Sequence, residues 1–424
     1  MIAIAAFASL PVAAMPMLDG KHNVGVIKAE FVDASRALDA HDPASGPRRL
    51  PAVVWYPTKG RGGAAYLEGD RATVTLPAIA RNFGFAVEEL HPLTVARMDV
   101  RSGASPARHS RGFPVVVFSH GFFLYPEQNS ALASRLASHG YIVVSIAHPG
   151  DAADVRLEDG RIVATKLAST GDAPQFAEAF KVLVGGANLE ARREALTGYA
   201  KALPATRIGR SFAEWRDDTL FVADAILDGN EPHALHDVLA AADRSRLAFA
   251  GMSFGGATSA TTCKLVKACR AAVNLDGQNF DPDLYDRPVE RPLLLMLSDW
   301  TRYNVFEGQP READFSPNDL AYESWSEAGK GGDVVRVRLE GIRHMGFTDL
   351  VTLLNGPKRK ERVGEIDGDE ALSAIGDLVL AFLDAHVRDG DASSIDRAID
   401  RHPALERHVP VRLKSWVSET NQSP

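Results

Sequence analysis

An α/β fold, a mostly parallel central sheet flanked by helices, is what the sequence predicts, and three observations predict it. Short continuous apolar runs recur at Pro114 to Ser119, Tyr141 to Ala147, Leu247 to Ala250, Ala271 to Leu275, Pro292 to Leu297 and Val334 to Leu339; such runs mark strands buried on both faces. Stretches of helical period or composition lie between several of them. Residues capable of chemistry follow each run, as expected of an open α/β sheet, whose sites gather at the carboxyl ends of the strands.

Composition narrows the function class. The 424 residues are 45% apolar and 24% charged, with a formal net charge of −8, ordinary for a globular chain with a sizeable core. Charge is spread without a basic block, which argues against a nucleic-acid partner. Outside the N-terminus no run is long and apolar enough to span a bilayer as a helix. Met1 to Met17 is apolar and Ala-rich but lacks a basic start. It reads either as an atypical signal peptide, giving a secreted or periplasmic protein, or as a poorly ordered cytoplasmic N-terminus. Residues 1–18 are therefore set apart from a single domain over 19–390, and 391–424 reads as a tail of little periodicity. Oligomeric state is left open.

Taken in order, Gly25 to Phe31 and Pro51 to Pro57 form an N-terminal antiparallel part. Residues 64–110 are an excursion with a helix-like piece, Leu76 to Leu90, too long for a plain loop. Strand Pro114 to Ser119, helix Glu127 to Ser138 and strand Tyr141 to Ala147 make a βαβ unit. A second insertion, 152–211, carries an apolar piece, Phe176 to Val184, and a charged helix-like piece, Leu189 to Leu203; both insertions are expected to roof the site. Ser211 is placed to cap a helix running to Leu227. Cys263 and Cys269 lie at the end of the next helix. If that helix ran through both, their Cα atoms would be too far apart to bridge; a disulfide needs the helix to stop early, and two buried thiols are the expectation set against it. Glu370 to Val387 reads as a long amphipathic helix closing the sheet.

The chemistry centres on Gly251-Met252-Ser253-Phe254-Gly255-Gly256, a G-x-S-x-G motif between an apolar strand and an Ala/Thr-rich helical segment. A serine hydroxyl is a poor nucleophile unless a base and oxyanion donors stand beside it, and a sharp strand-to-helix turn supplies that exposure. Ser253 is the expected nucleophile. His344, just beyond a core strand, is the expected base, in the chain order serine, acid, histidine. Two residues compete for the acid, Asp276 and Asp299, each following a strand; generic fold logic often favours the later one. The backbone N–H of Phe254 is one oxyanion donor by motif logic, and that of Phe122 in His120-Gly121-Phe122 the other. His120 itself is either a ligand contact or a hydrogen-bonded structural histidine. Phe122, Phe123, Tyr125 and Trp300 are candidate pocket walls. No metal-ligand cluster and no cofactor motif accompanies these residues.

Val53-Val54-Trp55-Tyr56-Pro57, Phe118-Ser119-His120-Gly121-Phe122, the segment Gly251 to Thr258, Asn274-Leu275-Asp276-Gly277 and His344-Met345-Gly346-Phe347-Thr348-Asp349 together resemble the platelet-activating factor acetylhydrolase isoform II family and its bacterial dienelactone-hydrolase-like relatives. The resemblance runs from about Val24 to Val387. It implies an α/β-hydrolase fold, a serine carboxylic-ester hydrolase that forms an acyl-enzyme without metal or cofactor, short acyl groups, Asp276 as the acid, and Phe122 and Phe254 as the oxyanion donors. A small-molecule or lipid ester is then the partner. Lactones or polyesters are the alternative substrates, and an inactive binding protein on the same scaffold is the alternative outside catalysis. Met252 departs from the family, which usually has histidine there. No motif matches the lipid-interface helices of the animal enzymes.

Overall fold

The computed structural model describes residues 15–67, 69, 71–167, 174–185, 188–303, 316, 318–325 and 333–420. The chain opens with a long antiparallel hairpin, β1 (Asn23–Asp39) and β2 (Asp42–Thr58). The first insertion follows with helix α1 (Leu76–Phe83), stopped by the left-handed Gly84, so the predicted helix to Leu90 resolves into two pieces. Short β3 (Val100–Ser102) then pairs parallel to β1. The βαβ unit appears as β4 (Phe113–Ser119), α2 (Ser130–Ser138) and β5 (Ile142–Ile146).

The second insertion forms a small hairpin, Val155–Arg156 with Ile162–Val163, and helices over Pro174–Gly185 and Leu189–Ala202. Helix α3 (Arg207–Asp228) leads to β6 (Ala242–Met252), α4 (Phe254–Leu265), β7 (Cys269–Leu275), β8 (Leu293–Leu297), β9 (Val334–Leu339), α5 (Gly368–Val387) and β10 (Leu405–Arg407). The ten-stranded sheet has the order β10-β9-β8-β7-β6-β4-β5-β2-β1-β3. From β9 to β5 all neighbours are parallel. The chain crosses from β4 to β5 on one side and returns to β6 on the other, so a topological switch point lies between β4 and β6.

Both faces of the sheet are covered, which explains the unbroken apolar runs. Val116, Phe118, Ala248, Ala250 and Val273 pack with Ile375, Leu378 and Phe382 of α5. Their neighbours Val115, Val117, Leu247, Phe249 and Ala272 face the other way, with Val222 and Ile226 of α3. Period-two alternation thus feeds two cores from the same strands.

Three expectations change. The cap of α3 is Thr206, whose side chain accepts the Gly209 N–H at 3.0 Å, and Ser211 lies buried inside the helix; Gly209, a weak helix former, hides the first turn. Helix α4 stops after Leu265, where Val266 is already extended, so Cys263 and Cys269 come to a Cα separation of 5.2 Å and form a disulfide rather than two thiols. The segment after 390 is structured, with a helix over Ser393–Arg401, edge strand β10 antiparallel to β9, and a helix over Val411–Thr420. These pieces are too short to leave a strong period. Among the described residues no helix is long and apolar enough to cross a membrane.

The cross-link closes a short loop between the end of α4 and the start of β7. By loop-closure entropy, replacing both cysteines by alanine should cost about 2 kcal/mol. Urea denaturation of the oxidised wild type and the double variant should show that loss as a lower midpoint; coincident curves would refute it.

Candidate active site

The switch point is where the motif residues meet. Strand β6 delivers Ser253 at φ 56° and ψ −119°, a conformation rare for a residue with a side chain. It is held by the Ser253 N–H on the Leu275 carbonyl at 2.8 Å and by the Ala257 N–H on the Ser253 carbonyl at 2.9 Å. The glycines of the motif are needed for space: a Cβ at Gly255 would lie 2.1 Å from the Ser119 carbonyl oxygen. Ser253 therefore stands at the N-terminus of α4, where the helix dipole favours negative charge.

His344 begins a short 3₁₀ turn beyond β9. Its Nε2 lies 2.8 Å from Ser253 Oγ and its Nδ1 lies 2.7 Å from Asp276 Oδ2. The other carboxylate oxygen, Oδ1, accepts the Ser298 N–H at 2.7 Å. Asp276 follows β7 in a left-handed conformation, φ 58°. Asn274 clasps the next residue from both sides, Oδ1 accepting the Gly277 N–H at 2.6 Å and Nδ2 donating to the Gly277 carbonyl at 2.9 Å. Asn274 and Ser298 were not singled out from sequence; Asn-x-x-Gly is a turn signal, but its service to the acid is visible only in three dimensions.

Asp299 is brought elsewhere. Its Oδ1 meets Thr301 Oγ1 at 2.8 Å and Arg338 Nη1 at 3.1 Å, and its Oδ2 accepts the Gly341 N–H at 2.9 Å. It latches the approach to the histidine loop instead of touching the ring.

The backbone N–H groups of Phe122 and Phe254 make no hydrogen bond to any described residue. Their rings lie 4.9 Å apart. Phe254 also contacts Trp215 at 4.9 Å, Phe280 at 5.4 Å and Phe212 at 6.2 Å, which gives the site an aromatic wall. Phe123, left-handed at φ 66°, packs on Phe122 at 4.2 Å. Arg207 lies over both rings while binding Asp151 at 2.7 Å.

Two of the candidate pocket walls, Trp300 and Tyr125, lie outside the pocket, and His120 takes the structural alternative. His120 is wholly buried behind the loop, bonded within the protein. Trp300 is buried and packs edge-on against His408 at 4.9 Å, because the C-terminal segment covers that end of the sheet. Tyr125 is buried and its hydroxyl pairs with that of Tyr66 at 3.1 Å. Met252 is also buried, beneath Gly121. Among the described residues no group of His, Cys, Asp and Glu is arranged to hold a metal ion.

The histidine loop ends in Asp349, fully buried, whose carboxylate oxygens both face the Ala131 N–H, at 3.3 and 3.2 Å. Burial pushes its carboxyl up to about 8, against the pull of the Ala131 N–H. Its loop is tied to the one after β4: the Asp349 N–H donates to the Gln128 carbonyl at 2.8 Å, and Gln128 Oε1 accepts the Gly121 N–H at 2.9 Å. Asn129 Nδ2 adds a bond to the Phe347 carbonyl at 2.7 Å.

The family model described as platelet-activating factor acetylhydrolase, isoform II, matches residues 49–158 and 225–402. The platelet-activating factor acetylhydrolase of Cavia porcellus is 24% identical, covering 97% of this chain and 87% of its own. That of Gallus gallus is also 24% identical, covering 72% of this chain and 69% of its own. Among solved structures, a ferulic acid esterase from Streptomyces cinnamoneus superposes with a TM-score of 0.66 at 23% identity, covering 93% of this chain and 99% of that one. This likeness is one of fold.

Asp349 makes stability fall with rising pH. Between pH ~4, where an unfolded aspartate titrates, and the folded value of about 8, the folded chain holds a proton that the unfolded chain has released. Asp349→Asn should remove that slope, gaining on the order of 4 kcal/mol relative to wild type between pH 5 and pH 8. Urea midpoints of the two proteins at both pH values check it; parallel pH dependences would refute it.

Proposed function

This chain belongs to the platelet-activating factor acetylhydrolase isoform II family and is a serine carboxylic-ester hydrolase, and from that premise we propose that it cleaves short acyl esters through an acyl-enzyme on Ser253. One observation carries the assignment of roles: the unbroken run from Ser253 Oγ to His344 Nε2 at 2.8 Å and from His344 Nδ1 to Asp276 Oδ2 at 2.7 Å.

Ser253 Oγ bonds to the ester carbonyl carbon as its proton passes to His344 Nε2. Asp276 fixes the ring with Nδ1–H toward itself and stabilises the imidazolium. The Ser298 N–H holds the second carboxylate oxygen, so the carboxylate cannot rotate away. Negative charge on the carbonyl oxygen is received by the Phe122 and Phe254 N–H groups, aided by the N-terminus of α4. The carbon–oxygen bond to the leaving alcohol then breaks, and His344 returns the proton to that oxygen. Water, deprotonated by the same nitrogen, attacks the acyl-enzyme and releases the acid and free Ser253.

The substrate class follows from kinship and from the wall. The relatives are named for an acetyl ester, which favours a short acyl group and an alcohol leaving group such as a lysophospholipid. Phe122, half-buried and backed by the buried rings of Phe212, Phe254 and Phe280, offers apolar surface to it. Hydrolysis rates across p-nitrophenyl esters of increasing acyl length, set beside small lactones, should fall with length and remain low for lactones; the reverse order would reassign the substrate.

Ser253→Ala should abolish turnover of p-nitrophenyl acetate with the fold unchanged by circular dichroism. Asp276→Asn should lower kcat about 10³- to 10⁴-fold by imposing the wrong tautomer, whereas Asp299→Asn should act through stability. A larger kcat loss in the Asp299 variant would reverse the roles.

A further inference from the structure

In the loop after β4, of the N–H groups of residues 121–124 that of Phe122 alone has no hydrogen-bond partner among the described residues. Gly121 N–H donates to Gln128 Oε1 at 2.9 Å, and Phe123 N–H donates to the Asp151 carbonyl at 2.7 Å. The Phe123 carbonyl accepts from Asn82 Nδ2 at 3.3 Å. The Gly121 carbonyl accepts twice, from Leu124 N–H at 3.0 Å, closing a four-residue turn with the left-handed Phe123 in third place, and from His120 Nδ1 at 2.7 Å. In a planar trans peptide the carbonyl and the following N–H point in opposite directions. Whatever holds the Gly121 carbonyl therefore aims the Phe122 N–H.

We propose that His120 is a positioning residue for the hydrolysis: by donating from Nδ1 to the Gly121 carbonyl it sets the Gly121–Phe122 peptide so that the Phe122 N–H faces the reacting carbonyl oxygen. This role rests on Phe122 serving as an oxyanion donor. The ring has one tautomer open to it. A carbonyl only accepts, so Nδ1 carries the proton; Nε2 faces the His148 N–H at 3.2 Å, so it must accept. Burial, and then the nearby His148, keep the ring neutral down to about 3.

Behind His120 stands a rigid frame. His148 Nδ1 meets Asp218 Oδ2 at 2.9 Å, its Nε2 meets Ser119 Oγ at 3.1 Å, and its ring stacks on Trp215 at 3.9 Å and 11°. Ser119, His148 and Asp218 repeat the residue types of the catalytic trio, yet are only 2%, 0% and 0% exposed. No ester can reach them. Arg48 grips Asp218 with two bonds, at 3.0 and 2.6 Å, and holds it ionised. The sealed set fixes His148, whose N–H fixes the tautomer of His120.

The test separates the two ring nitrogens. An asparagine amide reaches where Nδ1 does, and a glutamine amide where Nε2 does. His120→Gln should lower kcat for p-nitrophenyl acetate about 10- to 100-fold with KM within about twofold, and weaken a trifluoromethyl ketone that forms a tetrahedral adduct by the same factor. His120→Asn should recover most of both. Phe122→Pro keeps a turn that tolerates proline at its second position but deletes the N–H; against Phe122→Ala as control it should lose kcat, and His120→Gln added to it should cost nothing more. A folded His120→Gln chain with wild-type kcat, or equal losses in the Asn and Gln variants, overturns the role of His120. Equal kcat in Phe122→Pro and Phe122→Ala overturns instead the assignment of Phe122, and activity in Ser253→Ala the proposed function itself. Should glutamine not be accommodated, His120→Ala set beside His120→Asn decides: a folded alanine variant with lowered kcat, unchanged KM and recovery in the asparagine variant supports the role, and a folded alanine variant with wild-type kcat overturns it.

Discussion

No side chain fits between the end of β4 and the first turn of α4, and the rest of the site depends on that closeness. A Cβ at Gly255 would meet the carbonyl oxygens of Ser119 and His120 at 2.1 and 2.6 Å, and one at Gly277 would meet the Ser253 carbonyl oxygen at 2.1 Å. Backbone thus packs on backbone from β4 through α4 to the turn after β7. The serine between them is forced into a strained conformation, costing on the order of 1–3 kcal/mol, which the surrounding hydrogen bonds over-determine. Pressed together this way, the turns that follow three strands, β4, β6 and β7, meet around Ser253.

Much of this was legible in the sequence, because steric demands leave marks in composition. Doubly buried strands wrote themselves as apolar runs, and the close approach wrote itself as glycines around Ser253. The choice between Asp276 and Asp299 was not legible from spacing, since both follow strands. It turns on the left-handed backbone at 276 and on Asn274 holding Gly277, against Arg338, Thr301 and Gly341 engaging Asp299. The family resemblance pointed to Asp276 where the residues alone did not. Long-range contacts left no local signal at all. Trp300 looked like a pocket wall until His408, more than a hundred residues on, covered it, and the cysteines looked separate until α4 stopped short.

Two buried aspartates show how differently the interior treats the same side chain. Asp218 sits among Arg48, Arg36 and His148, with Arg36 Nη1 at 2.8 Å, and is kept charged by them. Burial of such a group is tolerable only because its partners neutralise it and satisfy its oxygens. Asp349 has only amide and hydroxyl neighbours, and burial drives it toward the neutral acid. The first ties β1, β2, the segment after β5 and α3 into one charged knot; the second helps fasten the histidine loop to α2.

Helix α3 carries Asp218 on the face turned to that knot, and Phe212 and Trp215 on the face turned to the aromatic wall. The wall is consequently bolted to the interior. Sliding or tilting the helix would strip Asp218 of its arginines. Exchanging individual rings such as Phe212 or Phe280 would instead reshape the wall while the frame behind it stays in place.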